Sequence, residues 1–258
     1  MSKVALADLK EFLDEKYRQY ASPSFIETDP IQIPRSYSLK QDIEISGFLT
    51  ATISWGQRPQ IIRSARSLMA QMGESPYEFL SDSSLNDIAS LSRFYYRTFN
   101  GTDCMAFVKS LKRIYTNGQS LEDIFSEGFN KTQSIKDAIE YFRQIFIDED
   151  FPDRTTKHIS SPMASSAAKR LNMYLRWMVR PSTEKVDLGI WTQIPTSALM
   201  LPLDVHSGRV ARKLGLLDRK QNDWKAVEEV TANLSTFAPN DPVKYDFALF
   251  GLGVFEKF

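Results

Sequence analysis

The sequence predicts an all-α fold. Three observations carry that expectation. Apolar residues recur at helical spacing along most of the 258 residues. Pro and Gly fall at the ends of those stretches. No segment shows sustained two-residue alternation, and Asn117-Gly118 sits between helical patterns rather than between β-branched runs. With 42% hydrophobic and 12% aromatic residues the chain has enough apolar surface for a real core, which excludes a mainly disordered protein.

Residues 4–20 place Leu6, Leu9, Phe12, Leu13 and Tyr17 on one helical face. Residues 21–38 carry Pro23, Pro30 and Pro34 and are expected as an extended loop. From Gln41 onward, Ile43, Ile45, Phe48, Leu49 and Ile53 leave few polar faces, the mark of a buried helix, which stops near Gly56. Pro59 opens the next helix in its first turn, and Gly73 closes it. Further helices are expected at about 76–81, 85–99, 103–116, 121–128 and 133–147. Asp103 is a candidate cap for one of them, and Ser120 with Asp123 forms a shortened capping box for another.

Residues 148–165 read as a polar loop and 166–180 as a strong helix. Leu171, Leu175 and Met178 form its apolar stripe. Lys169, Asn172, Arg176 and Arg180 form a separate polar stripe at i, i+3, i+7 and i+11. Pro181 stops this helix, and a linker with Trp191, Pro195 and Pro202 follows. Asp204 caps an amphipathic helix that turns Val205, Val210 and Leu214 inward and ends at Gly215. A helix at about 223–236 comes next, then one opened by Asp241-Pro242 and closed at Gly251. Trp55, Trp177 and Trp191 are expected in the core.

Lys plus Arg and Asp plus Glu each number 32. The zero net charge excludes a polycation or an acidic tail but not a local patch. Residues 152–225 hold 13 Lys or Arg against 6 Asp or Glu, a local +7 that −7 elsewhere balances, as expected of a phosphate-binding face. The one cysteine, Cys104, excludes a disulfide framework within the chain and a four-cysteine cluster. With only His158 and His206 beside it, no metal site and no cofactor are expected. No segment approaches about 18 consecutive apolar residues and the start shows no secretory pattern, so no membrane partner and a cytoplasmic location are expected.

The run Leu201-Pro202-Leu203-Asp204-Val205-His206-Ser207-Gly208-Arg209-Val210-Ala211 resembles the signature of the helix-hairpin-helix base-excision DNA glycosylases. In that superfamily an apolar residue precedes a characteristic Asp, and an Arg-Val follows within the next helix. Ser166-Ala167-Ala168-Lys169-Arg170-Leu171 resembles the helix that follows the hairpin and carries the lysine nucleophile. The 35-residue spacing from Lys169 to Asp204 is nearest the archaeal 8-oxoguanine glycosylase branch. Residues 48–57 are a weaker echo of the superfamily's buried helix, which ends in a Gln-bearing turn that approaches DNA; here that residue is Gln57. Over nearly its whole length, through residues 169–180 and 241–253, the chain is similar to an uncharacterised Bacteroidetes-type bacterial family. It departs from the glycosylase pattern in the hairpin, where a Gly-x-Gly usually holds a phosphate. The matching positions lie near Ser165 and Ala167.

The resemblance implies a two-lobed helix-hairpin-helix glycosylase-like fold. One lobe is the middle of the chain, 49–200, with the hairpin-like element near 160–180. The other is 1–48 plus 201–258, and a cleft between them sets Lys169 against Asp204. The implied function is excision of a damaged purine such as 8-oxoguanine from double-stranded DNA by a monomer, with β-lyase action where an amine is the nucleophile. Cleavage of the C1′–N bond passes through an oxocarbenium-like state, which the Asp204 carboxylate would stabilise. Lys169 would attack C1′ as a neutral amine and form a Schiff base. Gln57, Ser165, Arg170, Arg176, Arg180, His206 and Arg209 are the candidate DNA contacts; for Arg176 and Arg180, ion pairs within the fold are an equal alternative. The rival expectation is a non-catalytic relative that keeps the fold and binds nucleic acid or a protein.

Overall fold

Residues 3–258 are described by the computed structural model, and they are mostly helical. They divide into two units. Thr28–Ser160 is one continuous unit, and the chain up to Glu27 joins Ser161–Phe258 in the other.

Helix α1 spans Lys3–Tyr20. The proline-rich stretch after it is not extended. Pro23, Pro30 and Pro34 each open a short 3-10 turn, because a residue with φ near −65° and no N–H to satisfy suits the first helical position. In the continuous unit, α2 (Lys40–Thr52) is buried on nearly every side. Helices α3 (Arg58–Gln71) and α4 (Pro76–Asp82) follow. Helix α5 covers only Leu85–Ser90, not the expected 85–99. A 3-10 turn and a two-stranded ribbon replace its second half: β1 (Tyr95–Tyr96) and β2 (Phe99–Asn100), antiparallel. The reason is local. Phe94 and Tyr96 are buried on either side of the exposed Tyr95, and Arg97 turns left-handed (φ 55°), which a continuing helix does not allow. Helix α6 (Gly101–Thr116) starts so close to Ser92 that a Cβ at Gly101 would meet the Ser92 carbonyl. Its cap is Asn100. Asp103, expected as the cap, is instead the third helical residue, and its carboxylate returns to the Asn100 N–H at 2.9 Å. The Ser120–Asp123 capping box opens α7 (Leu121–Thr132) as expected. Helix α8 (Ile135–Phe146) closes a phenylalanine core in which Phe142 packs on Phe125 at 4.4 Å and on Phe48 at 5.4 Å.

The other unit contains α9 (Lys169–Val179), α10 (Val205–Lys213), α11 (Trp224–Ser235) and α12 (Tyr245–Val254). Helix α1 packs along α12, where a Cβ at Gly251 would enter the Tyr20 ring. The expected boundaries, 49–200 against 1–48 plus 201–258, are not those of this division. The segment carrying Lys169 belongs to the same unit as Asp204, because the α9 arginines bind carboxylates of α12 and its approach.

Candidate active site

The turn into α9 is built from two left-handed residues, Ser165 (φ 65°) and Ala168 (φ 45°). The glycines missing from the sequence do not prevent this geometry; two L-residues adopt it, at a cost of about 1–2 kcal/mol each. The neighbouring α11 helps hold them there. Ser166 bridges Asp223, and the Trp224 N–H donates to the Ser165 carbonyl at 3.3 Å. The Arg219 guanidinium grips Asp223 and draws its carboxyl down to about 2. With Ala168 in that conformation, α9 begins at Lys169, three residues later than the periodicity predicts.

Lys169 is half-buried. Its amine lies 3.7 Å from Met173 Sδ, a weak acceptor, and makes no ion pair among the described residues. The stripe it heads is not a solvated face. Asn172 is buried, with Nδ2 donating to the Ala167 carbonyl at 3.1 Å and Oδ1 left without a partner. Arg176 and Arg180 lie in the core. Arg176 donates to Asp187 at 3.2 Å and to Asp246, and sits 4.4 Å from the Phe247 ring. Arg180 binds Asp187 at 3.1 Å and Asp241 at 3.0 Å. This corrects their expected role: two buried guanidiniums whose donors are engaged by fixed carboxylates are not available to DNA phosphates. It also explains why Asp241 does not cap with its side chain as expected.

Asp204 is the cap of α10, as the sequence predicts. Its Oδ1 accepts the His206 N–H at 2.8 Å and the Ser207 N–H at 2.9 Å, and the Ser207 hydroxyl accepts the Asp204 N–H at 2.9 Å. Oδ2 has no hydrogen-bond partner among the described residues. From the backbone side, Asn222 Nδ2 donates to the Asp204 carbonyl at 2.9 Å, and Arg212 holds Asn222 at 2.6 Å. The carboxylate is thus fixed on one oxygen and open on the other. Val205, expected inward, is 75% exposed; the chain turns into α10 here, and Ser207 and Gly208 take the buried positions.

Sequence reasoning missed Asp246. It sits in α12, only 7% exposed. Burial pushes its carboxyl up to about 6 against the pull of Arg176, and both Asp204 and Lys169 are close enough to shift it further, in opposite directions. The available signal was a lone carboxylate in the run Tyr-Asp-Phe-Ala-Leu-Phe-Gly-Leu, which is otherwise apolar on every side.

The remaining candidates divide. Arg170, next to Lys169, is half-buried, and desolvation draws its guanidinium down to about 10. Ser165 is exposed at the turn and His206 is exposed on α10. Arg209 is exposed but already donates to the Gly253 carbonyl at 3.0 Å. Gln57 is exposed at the start of α3, in the continuous unit, with no side-chain capping bond. Within the basic stretch Arg154, Arg176, Arg180 and Arg219 are engaged by carboxylates, Arg154 by Asp103 at 2.9 Å.

Among the described residues no group of three or more His, Cys, Asp or Glu is arranged to hold a metal ion, and no helix is long and apolar enough to cross a membrane. Trp177 and Trp191 are buried and Trp55 is half-buried. In comparison with known proteins, residues 29–255 match the family described as Protein of unknown function (DUF2400). No curated protein and no solved structure matches.

Proposed function

Because the chain belongs to the DUF2400 family, whose description names no activity, we propose a function from the cluster itself: this is a DNA base-excision glycosylase with β-lyase activity. Its substrate is a damaged purine such as 8-oxoguanine in double-stranded DNA, met in the cytoplasm by a monomer with the helix-hairpin-helix glycosylase-like fold. The observation that carries the reading is that one unit holds an amine without an ion-pair partner, Lys169, and a half-open capping carboxylate, Asp204, both near enough to the buried Asp246 to act on its charge.

The chemistry uses each part. Lys169 Nζ, as a neutral amine, bonds to C1′ while the C1′–N bond breaks and its electron pair leaves with the base. The added nitrogen loses a proton, O4′ takes one up as the sugar ring opens, and a C1′=N iminium remains. Asp204, held by two N–H groups, presents its open oxygen to the positive charge that develops on the sugar. Ser165, Arg170, His206 and Arg209 are the candidate contacts to the DNA in this unit, and Gln57 is the candidate in the other. Arg176 and Arg180 are not among them.

The test is borohydride trapping on duplexes carrying 8-oxoguanine, uracil or an abasic site, with Lys169→Gln in parallel. A covalent adduct lost in the variant is expected. No adduct and no released base on any duplex would leave the second reading, a non-catalytic relative that binds nucleic acid or a protein. The withdrawal of Arg176 and Arg180 into the core favours the protein-binding form of that second reading.

A further inference from the structure

The continuous unit carries a second basic region, outside the candidate site. Across residues 54–73 and 91–100 the sequence has five arginines, Arg58, Arg63, Arg66, Arg93 and Arg97, and no Asp or Glu, in a chain whose net charge is zero. The structure joins these two segments. The Tyr96 hydroxyl donates to the Trp55 carbonyl at 2.6 Å, and the two rings meet edge to face at 5.3 Å. Gly56, left-handed at φ 102°, leaves room for the Arg97 guanidinium: a Cβ there would lie 2.7 Å from Arg97 Nη1. The turn that opens α3, with the exposed Gln57, therefore lies against the tip of the β1–β2 ribbon.

Exposure sorts the ribbon's side chains. Phe94 and Tyr96 are buried, and Arg93, Tyr95 and Arg97 alternate with them on the solvent side, with Tyr95 70% exposed. Arg93 and Arg97 make no ion pair among the described residues. The carboxylates nearest these segments in the sequence are engaged elsewhere. Asp29 binds Arg58 at 2.9 Å, Asp103 is fully buried and bound by Arg154 at 2.9 Å, and Asp87 is turned to Ser84 in its own cap. Arg97 also holds its left-handed φ in a turn where glycine would be unstrained. No carboxylate accounts for an arginine there.

An exposed ring between two unpaired guanidiniums matches one partner chemistry. Guanidiniums bind phosphate oxygens, and an aromatic ring stacks on a base whose face is free. An acidic peptide would satisfy the arginines and leave Tyr95 without a counterpart. A duplex keeps its base faces covered. We propose that the β1–β2 ribbon is a docking surface for an unpaired nucleic-acid strand: Arg93 and Arg97 bind its phosphates, Tyr95 stacks on a base, and Gln57 borders the contact. The inference goes beyond the glycosylase reading, since it needs neither Lys169 nor Asp204 and holds for a protein that excises nothing.

The test is fluorescence anisotropy of the full chain with labelled oligo-dT and oligo-U strands of about 16 nucleotides. A duplex of oligo-dT with oligo-dA is the third ligand, and polyglutamate is the competing polyanion. Wild type is compared with Tyr95→Ala, Tyr95→Phe and a double variant, Arg93→Ala with Arg97→Ala, each checked for folding by circular dichroism. Wild type is expected to bind a single strand more tightly than the duplex, and the tighter of the two strands identifies DNA or RNA as the source. Tyr95→Ala is expected to weaken that binding about 5- to 150-fold, and Tyr95→Phe to stay within about twofold. The double variant is expected to lower the slope of log affinity against log salt by about 1.4, since each single-strand phosphate contact contributes about 0.7. No binding of either strand, unchanged affinity in Tyr95→Ala, or an unchanged salt slope in the double variant overturns the inference. So does duplex binding as tight as the strand's. Displacement of the strand by polyglutamate at equal charge also overturns it and assigns the surface to an acidic protein. Should the double variant not fold, Tyr95→Ala still decides. None of these outcomes bears on borohydride trapping, which reads Lys169.

Discussion

Replacing Arg176 by Met is the sharpest probe of the buried charge cluster. Met keeps much of the side-chain volume and removes the guanidinium that binds Asp246 and Asp187. Asp187 retains Arg180 at 3.1 Å, so the main loss falls on Asp246, which has no other donor. Breaking a buried pair from one side costs about 3–5 kcal/mol. Part of that cost is a proton uptake and can be worked out. In wild type the carboxyl titrates near 6, so at pH 7 it stays ionised in a site that raises it from 3.8, a penalty of about 3 kcal/mol. Without Arg176 it folds protonated at pH 7, a penalty of about 4.4 kcal/mol against an unfolded chain that is ionised. The difference is about 1.4 kcal/mol. At pH 5 both proteins fold with the group largely protonated, and this part of the deficit vanishes. Urea unfolding at the two pH values should therefore show a deficit of about 3–5 kcal/mol at pH 7 that shrinks by about 1.4 kcal/mol at pH 5. A total below about 1 kcal/mol, or the same deficit at both pH values, would refute the reasoning.

Other perturbations separate structure from chemistry. Asp204→Asn retains an acceptor for the His206 and Ser207 N–H groups, so thermal unfolding should stay within a few degrees of wild type while base release is lost; Asp204→Ala should lose both release and about 1 kcal/mol of stability. Asp103 is buried, and although burial alone would raise its carboxyl, bonds from Asn100 and Thr155 with the charges of His158 and Arg154 hold it below 3.8. Its contribution is full above that value and lost as pH falls through the lower folded one. Asp103→Asn should therefore flatten the fall of stability in acid, and an unchanged acid limb in urea titrations would sink the assignment. Ser165→Gly and Ala168→Gly should each stabilise the protein by up to about 1 kcal/mol through relief of left-handed strain; destabilisation on thermal melting would show the geometry is not strained. Burial pushes the Cys104 thiol up to about 12, so in the native protein it should resist a thiol reagent at pH 8 and react only on unfolding.

Much of the fold follows from signals that act within a few residues. Gly73 after α3, the Ser120–Asp123 box and the Asp204 cap each lie where spacing alone places them, because a capping side chain needs only its own first turn. The differences arise where a distant partner decides. The polar stripe of α9 is visible in the sequence, but its direction depends on Asp187, Asp241 and Asp246, which lie 7, 61 and 70 residues from the arginines that bind them. A stripe of Lys, Asn and Arg looks the same whether water or a carboxylate seam lies opposite. The ribbon at residues 95–100 was hidden because two residues per strand are too few to establish a period. Of the candidate site, Lys169 and Asp204 are named only through the family resemblance that their flanking residues carry, whereas Asp246 required knowing that α12 is buried all round.

The two units also differ in when they can be completed on the ribosome. Thr28–Ser160 is a single run, and every residue of that unit is available once the run is out of the exit tunnel. The other unit cannot close until α12 is synthesised, because α1, made before the rest of that unit, packs on it. During that interval the apolar side of α1, including the Leu13 that the finished protein hides completely, has no native surface to cover it. Helix α1 must wait through more than 200 residues of translation, which at about 5–20 residues per second lasts on the order of ten seconds or more. Chaperone capture of nascent chains should accordingly peak on lengths between the end of the first unit and the emergence of α12.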